Sequence, residues 1–244
     1  MGNVLAIARR ELGAYFGTPI AYVFLVVFVI LTGIMTFYVG NMLGRGTADL
    51  LAFFTYVPWL YLVFVPAVGM RLWAEEKKSG SIELLMTLPI TVSQAVIGKW
   101  LAGWLFIGVA LVATFPLWAS VNILGGPDNG VIVLSYVSAF ALAGVMLAVA
   151  SCASALTQNQ VIAFVIAVAL SFLFVTSGTP LVLDAVRAVA GDAIADAIAG
   201  LSVLAHIDEP LRGVIDAADA VYAVAMVAFW LYATGLAVEL NKAG

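Results

Sequence analysis

Long stretches without a single charged side chain limit what this sequence can fold into. No Asp, Glu, Lys or Arg occurs from 12 to 44, from 50 to 70, from 100 to 127 or from 129 to 183. A helix of about 20 apolar residues is long enough to cross the hydrocarbon core of a membrane. Apolar residues make up 64% of the chain and charged residues 10%, whereas soluble domains have about 45–50% and roughly 25%. The sequence therefore predicts an all-α integral membrane protein.

Polar interruptions divide these stretches into predicted membrane spans. The glycine-rich turn at 125–130 ends one span, and residues 157–160 are the strongly polar break in the longest uncharged stretch. A single transmembrane domain over residues 1–244 is expected, with six spans at about 20–41, 51–73, 94–122, 131–156, 160–180 and 217–238.

The basic residues predict an orientation. Residues 3–17 favour an amphipathic helix in the membrane interface, with Arg9 and Arg10 towards anionic headgroups. With both termini in the cytosol, the outside holds Arg45, Arg187 and Arg212, and the inside holds Arg9, Arg10, Arg71, Lys77, Lys78, Lys99 and Lys242. This arrangement agrees with the positive-inside rule, because more basic residues lie on the cytosolic side than outside.

The charged loop between the second and third spans predicts a short surface helix. Residues 75–78 form a solvated run that extends the preceding helix, and Gly80 permits a backbone turn. Ser81 can cap a second helix, which Pro89 ends. The plainer interpretation is an ordinary cytosolic loop with snorkelling ends.

Two finer patterns in this loop support the surface helix. Ser79, Glu83 and Thr87 recur every four residues, so they form a polar stripe on a helix that is otherwise apolar. Thr91 with Gln94 has the spacing of a capping box, which would open the third span.

The segment 181–216 is too charged to cross a membrane and too apolar to form a free loop. Asp184, Arg187, Asp192 and Asp196 lie among apolar residues at helical spacing. We expect short helices that dip into the outer surface of the membrane and pack over the outer mouth of a pathway through the protein. The alternative is a surface helix that only braces the last span.

The sequence lacks the residues or patterns that several other functions require. The chain has no Gly-x-x-x-x-Gly-Lys-Ser/Thr motif, so it is expected to be a non-catalytic subunit. His206 with Asp208 and Glu209 could hold a metal, but a turn with an N-cap is favoured and no metal is predicted. The formal charge of −4 does not suggest nucleic acid. Because no ionisable residue lies near mid-membrane, secondary transport is disfavoured.

Two stretches resemble a known family. The loop resembles the signature of ABC-2 type permeases, the membrane halves of ABC exporters, at Glu75, Glu76, Gly80, Ser81, Ile82, Glu83, Leu84, Leu85, Leu88 and Pro89. Residues 9–22, which begin with Arg9, Arg10 and Glu11, resemble the subgroup first described in gliding-motility systems.

The resemblance implies a fold and a set of partners. The fold would be like that of type V exporters, with an N-terminal interfacial helix, a cytosolic coupling helix between spans two and three, and re-entrant helices before span six. A separate ABC ATPase, in two copies, would dock on the coupling helix and bind ATP and Mg, leaving this chain without a cofactor. The permease would form a homo- or heterodimer in the lipid bilayer of the inner membrane, and an extracytoplasmic accessory subunit is compatible with it.

Two functions therefore remain as hypotheses. The first is the permease subunit of an ATP-driven ABC-2 exporter, which performs transport or mechanical work. The second is a membrane scaffold or assembly protein whose loop binds a cytosolic partner without transport.

Overall fold

A long helix with small side chains lies at the centre of the protein. The computed structural model describes residues 2–46, 48–81, 90–214 and 216–240, without the side chain of Leu43. Within these residues, every position from 142 to 155 on the helix Asn129–Ala155 is buried. Many of them are Ala, Gly or Ser, which let neighbouring helices approach closely on all sides.

The described residues form helices joined by short turns. In chain order they are α1 (Gly2–Phe16), α2 (Pro19–Ile34, continued by a π-helical turn over Met35–Val39), α3 (Met42–Arg45), α4 (Leu51–Gly69), α5 (Arg71–Ser79), α6 (Val92–Val112), α7 (Phe115–Leu124), α8 (Asn129–Ala155), α9 (Gln160–Thr176), α10 (Pro180–Ala190), α11 (Asp192–Ala199), α12 (Asp208–Leu211) and α13 (Ala217–Leu240). The central helix α8 packs against α4, α6, α9 and α13, and α1 packs along α6.

The predicted all-α membrane architecture is confirmed in its coarse form. In the described part of the chain, five helical segments are long and apolar enough to cross a membrane: Pro19–Val39, Leu51–Ser79, Val92–Leu124, Asn129–Ala155 and Ala217–Leu240. A sixth exists only if α9 and α10 count as one span, and these two helices meet at an angle of 81°.

The predicted third span, 94–122, is not one continuous helix. It is interrupted between α6 and α7, because Pro116 has no backbone N–H with which to continue the hydrogen bonding of α6. The hydroxyl of Thr114 occupies the break, donating to the carbonyl of Leu111 at 2.6 Å and lying 2.9 Å from the hydroxyl of Tyr136.

The predicted fifth span, 160–180, is also not one continuous helix. Its helix α9 ends at Thr176, and Pro180 opens α10 in the new direction. The predicted helices of the segment 181–216 are present as α10, α11 and α12, although no contact in the structure tests whether they re-enter a membrane.

The helix directions place charged residues at two opposite ends. We call the end formed by α1, α5 and the start of α6 the charged end, and the end formed by α3, α10–α12 and the start of α13 the capped end. The basic residues predicted to lie inside, except Lys242 beyond the described residues, are at the charged end, and Arg45, Arg187 and Arg212 are at the capped end. The grouping matches the prediction, and the side of the membrane that each end faces stays a prediction.

Candidate functional site

A buried lysine joins three helices at the charged end. The side chain of Lys99, near the start of α6, is 2% exposed, and its Nζ lies 2.7 Å from Glu76 Oε1 on α5 and 3.4 Å from Glu11 Oε1 on α1. The same Nζ lies 5.4 Å from the centre of the Trp73 ring. A buried cation requires such partners, because desolvation is costly when the charge is left uncompensated. We call Glu11, Glu76 and Lys99 the ion triad.

Glu11 is stabilised in its ionised form by Arg10, a residue outside the triad. Arg10 Nη2 donates to Glu11 Oε1 at 2.6 Å, and this bond raises the pKa of Arg10. Burial by itself would raise the pKa of Glu11, but the charges of Lys99 and Arg10 outweigh it and hold that pKa below its usual value. Glu11 is therefore ionised at neutral pH.

Two serines fasten α5 to the central helix α8. The hydroxyl of Ser154 accepts from the backbone N–H groups of Trp73 and Ala74 at 3.0 and 3.1 Å and donates to the carbonyl of Met70 at 2.8 Å. Ser151 accepts from the indole N–H of Trp73 at 3.1 Å. In the structure, these two serines therefore join helices.

Close packing fixes α1 against α6. A Cβ at Gly98 would lie 2.8 Å from Ile7, so glycine allows the two helices to touch there. Tyr15 is buried, stacks on Phe106 at a centroid distance of 5.1 Å and donates to the carbonyl of Val68 at 3.1 Å. The predicted apolar face of α1 is thus covered by protein, while Arg9 and Arg10 are exposed.

The charged run 75–78 is only partly solvated, which corrects the prediction. Glu75 is half exposed and pairs with Arg71 at 3.1 Å, and Lys78 is exposed. Glu76 belongs to the ion triad instead, and the amino group of Lys77 donates to the carbonyl of Ala155. The reason is that α5 packs along α8, so only one of its sides meets solvent.

Both borders of the predicted coupling helix have the expected geometry. Gly80 adopts φ +71° and ends α5, and the hydroxyls of Ser79 and Ser81 lie 2.8 Å apart. The capping box of Thr91 and Gln94 is confirmed, with both of its hydrogen bonds present.

The centre of the predicted helix lies outside the described residues. These residues are Ile82, Glu83, Leu84, Leu85, Leu88 and Pro89, in the segment 82–89. A crevice of about 300 Å³ opens beside the start of this segment, and the residues that line it include Glu11, Tyr15, Arg71, Glu75, Glu76, Ser79, Ser81 and Lys99. The chain therefore leaves α5 next to the ion triad.

Sequence reasoning missed the triad because its members are far apart in the chain. The sequence predicts only that Lys99 lies on the inside, where a lysine commonly snorkels to water. The one available signal was that Glu11 and Lys99 each flank a long uncharged stretch and Glu76 lies five residues after Arg71, which ends another, so that all three would come to the same end of the helices.

At the capped end, His206 turns away from the acids that follow it. Its Nδ1 lies 2.7 Å from Asp219 Oδ1, whereas Asp208 and Glu209 are exposed in the first turn of α12. No cluster of three or more His, Cys, Asp or Glu side chains that could hold a metal occurs in the described ranges. Asp219, in the first turn of α13, is mostly buried against His206.

The comparison with known families agrees with this architecture. Residues 63–237 match the family described as ABC-2 family transporter protein, from within α4 almost to the end of α13. The chain therefore belongs to the ABC-2 transporter family, whose members are multi-pass membrane permeases and typically non-catalytic partners of an ABC ATPase. No curated protein matches the chain.

Proposed function

We propose that this chain is the permease subunit of an ATP-driven ABC-2 exporter, in which the segment 82–89 docks on a separate ATPase. Family membership supports the permease role. The ion triad is the observation that supports this location for the docking site. It holds α5, which leads into the segment, to α1 and α6.

The charged end has the mechanical properties that a docking site requires. Ser154 and Trp73 connect α5 to the central helix α8, and the triad connects it to α6. A displacement of the loop would therefore reach two membrane-crossing helices through buried polar contacts, which have defined geometry. An exposed salt bridge at this position would break more easily and would not transmit the displacement, because water and salt weaken it.

The assembly that we propose follows the family resemblance. Two permease chains, identical or related, would pair with two ATPase copies that bind ATP and Mg, in the inner membrane with both permease termini in the cytosol. The motif at 9–22 favours the gliding-motility subgroup. The capped end would then face outwards, with α10–α12 as the re-entrant helices, where an accessory subunit could dock.

Charge reversal in the loop tests the docking site. The permease is co-expressed with a candidate ABC ATPase from the same genome, and the purified complex is assayed for co-purification and for ATP hydrolysis stimulated by the permease. Glu83→Arg should reduce the stimulation at least tenfold, because like charge on a docking face costs several kcal/mol. Asp192→Arg, a charge reversal at the capped end, is the matched control and should have no effect.

Gly80→Pro provides a second test that does not depend on charge. Proline requires φ near −65°, whereas Gly80 has φ +71°, so the chain would leave α5 in another direction. Normal stimulation in both Glu83→Arg and Gly80→Pro would show that the loop is not the contact. A partner bound to the loop without ATP hydrolysis would support the scaffold hypothesis instead.

A further inference from the structure

The single histidine of the chain has a hydrogen-bond acceptor at each ring nitrogen. His206 Nδ1 lies 2.7 Å from Asp219 Oδ1, and Nε2 lies 3.1 Å from the carbonyl oxygen of Gly200. A neutral imidazole carries only one N–H, so it can satisfy only one of these acceptors. With an ionised Asp219, both bonds exist only when the imidazole carries a second proton.

The burial of Asp219 strengthens this requirement. Its Oδ2 is buried and has no hydrogen-bond partner among the described residues, so His206 is the only one of their side chains that compensates this carboxylate. If the proton instead resides on Asp219, the pair still holds one proton more than a neutral imidazole beside a carboxylate. Loss of that proton leaves a buried negative charge next to an acceptor, which is unfavourable.

Among the described residues that line the cavity at His206, no other side chain is a cation that could replace the proton. The titratable ones are Asp216, which directly precedes α13, and Asp219 and Tyr222 of α13, and α8 lines the cavity with uncharged residues. The ring of Tyr222 stacks on His206 at a centroid distance of 3.9 Å.

The pair connects two parts of the capped end. His206 and Gly200 belong to the turn 200–207 between α11 and α12, whereas Asp219 lies in the first turn of α13. Tyr222 adds a second connection by donating from its hydroxyl to the carbonyl of Leu201 at 2.9 Å. Within this turn, Ser202 is fully buried.

We propose that His206 and Asp219 form a proton-binding site that closes the turn 200–207 onto α13, so that the root of the α10–α11 hairpin is released when the proton is lost. The closed form is favoured at low pH, because only the protonated pair has a hydrogen bond at both ring nitrogens of His206. A rise in pH opens the turn and exposes what lies beneath it. This proposal does not depend on the ATPase partner or on the direction of transport.

A buried reporter cysteine measures the opening. Ser202→Cys is introduced together with Cys152→Ala, and the rate of reaction with a maleimide is compared with that of Asp192→Cys in the same background, both in lipid nanodiscs. The exposed cysteine corrects for the pH dependence of the thiol itself. The corrected rate at Ser202→Cys should rise at least fivefold between pH 6 and pH 8.5.

Substitutions in the pair locate the proton. With His206→Gln or Asp219→Asn added, the corrected rate should no longer depend on pH and should be high throughout. Tyr222→Phe removes the second connection and leaves the pair intact, so its rates should rise while their dependence on pH remains. Persistent pH dependence in His206→Gln would overturn the proposal.

Nitrogen NMR provides a measurement that needs no variant. Labelled histidine gives signals from one residue, since the chain contains one His. Two protonated ring nitrogens, or one together with a protonated Asp219, are expected at pH 6, and one protonated nitrogen beside an ionised carboxylate at pH 8.5. The same protonation state at both pH values, or a corrected cysteine rate that is flat in the unsubstituted pair, would contradict the proposal.

Discussion

Both ends of the protein place one cation among several carboxylates, but only one of these clusters is buried. At the charged end, Lys99 is 2% exposed and contacts Glu76 at 2.7 Å. At the capped end, Arg187 is 46% exposed and lies 3.7–3.8 Å from Asp184, Asp192 and Asp196, which are themselves largely exposed. The number of charges is therefore a poor guide to what each cluster does.

The difference arises from the solvent around each pair. Water and salt screen an exposed pair, and ordering its long side chains costs entropy, so such pairs commonly contribute less than about 1 kcal/mol. A buried ion whose partner is removed remains in a medium that solvates it poorly, which costs several kcal/mol. The charged end should consequently behave as a rigid junction, and the hairpin of α10 and α11 as an adaptable surface.

The largest effect should follow removal of the buried cation. Lys99→Met keeps most of the side-chain volume but leaves Glu76 without its partner, so the free energy of unfolding should fall by about 3 kcal/mol. Denaturant titration in detergent micelles measures the change, with Lys78→Met, an exposed lysine of α5, as the control. A loss equal to that of the control would refute the rigid junction. Adding Glu76→Gln to Lys99→Met should recover part of the stability.

The next effect should come from the uncharged part of the same junction. Ser154→Ala leaves two buried backbone N–H groups and the carbonyl of Met70 without their side-chain partner, so we expect a loss of about 1–3 kcal/mol. Ser171→Ala is the matched control, because Ser171 is also buried and its hydroxyl has no hydrogen-bond partner among the described residues. Equal effects of the two substitutions would mean that the Ser154 hydrogen bonds contribute nothing.

A smaller effect should appear on acidification. The folded protein holds the pKa of Glu11 below its usual value, so this carboxylate contributes stability above a pH of about 4.5. That contribution is lost as the pH falls through the lowered value. Unfolding measured from pH 7 to pH 3 should therefore depend less on pH in Glu11→Gln than in the unsubstituted chain. Parallel curves would show that Glu11 is not held by Lys99 and Arg10.

The smallest effect should be found at the exposed cluster. Arg187→Gln removes all three ion pairs of the hairpin, yet the free energy of unfolding should change by less than about 1 kcal/mol. The same denaturant titration measures it, at low and at high salt. A loss as large as that of Lys99→Met would erase the distinction between the two ends.

Much of the fold could be predicted from local sequence patterns. The uncharged stretches predict where the long helices lie, and the spacing of Thr91 and Gln94 predicts a capping box that is present. Gly80 predicts a turn, and it has the positive φ that favours glycine. These features depend on neighbours within a few residues, which the sequence displays directly.

The points at which two helices break were harder to predict, because hydropathy and proline positions favour different structures there. Hydropathy favours a continuous third span, but the missing N–H of Pro116 interrupts it. Hydropathy also favours a longer fifth span, but α9 ends at Thr176 and the chain bends before Pro180.

The sites were decided by tertiary structure. The ion triad unites positions 11, 76 and 99, and the proton-binding pair unites 206 and 219 with the carbonyl of Gly200. The sequence by itself determined that these groups are titratable and at which end of a helix each one falls. Whether a charge is solvated or buried depends on the helices that pack around it, and that packing sets both its partner and its energy. For this reason Lys99 and Arg187, which both contact carboxylates in the folded protein, have different roles there.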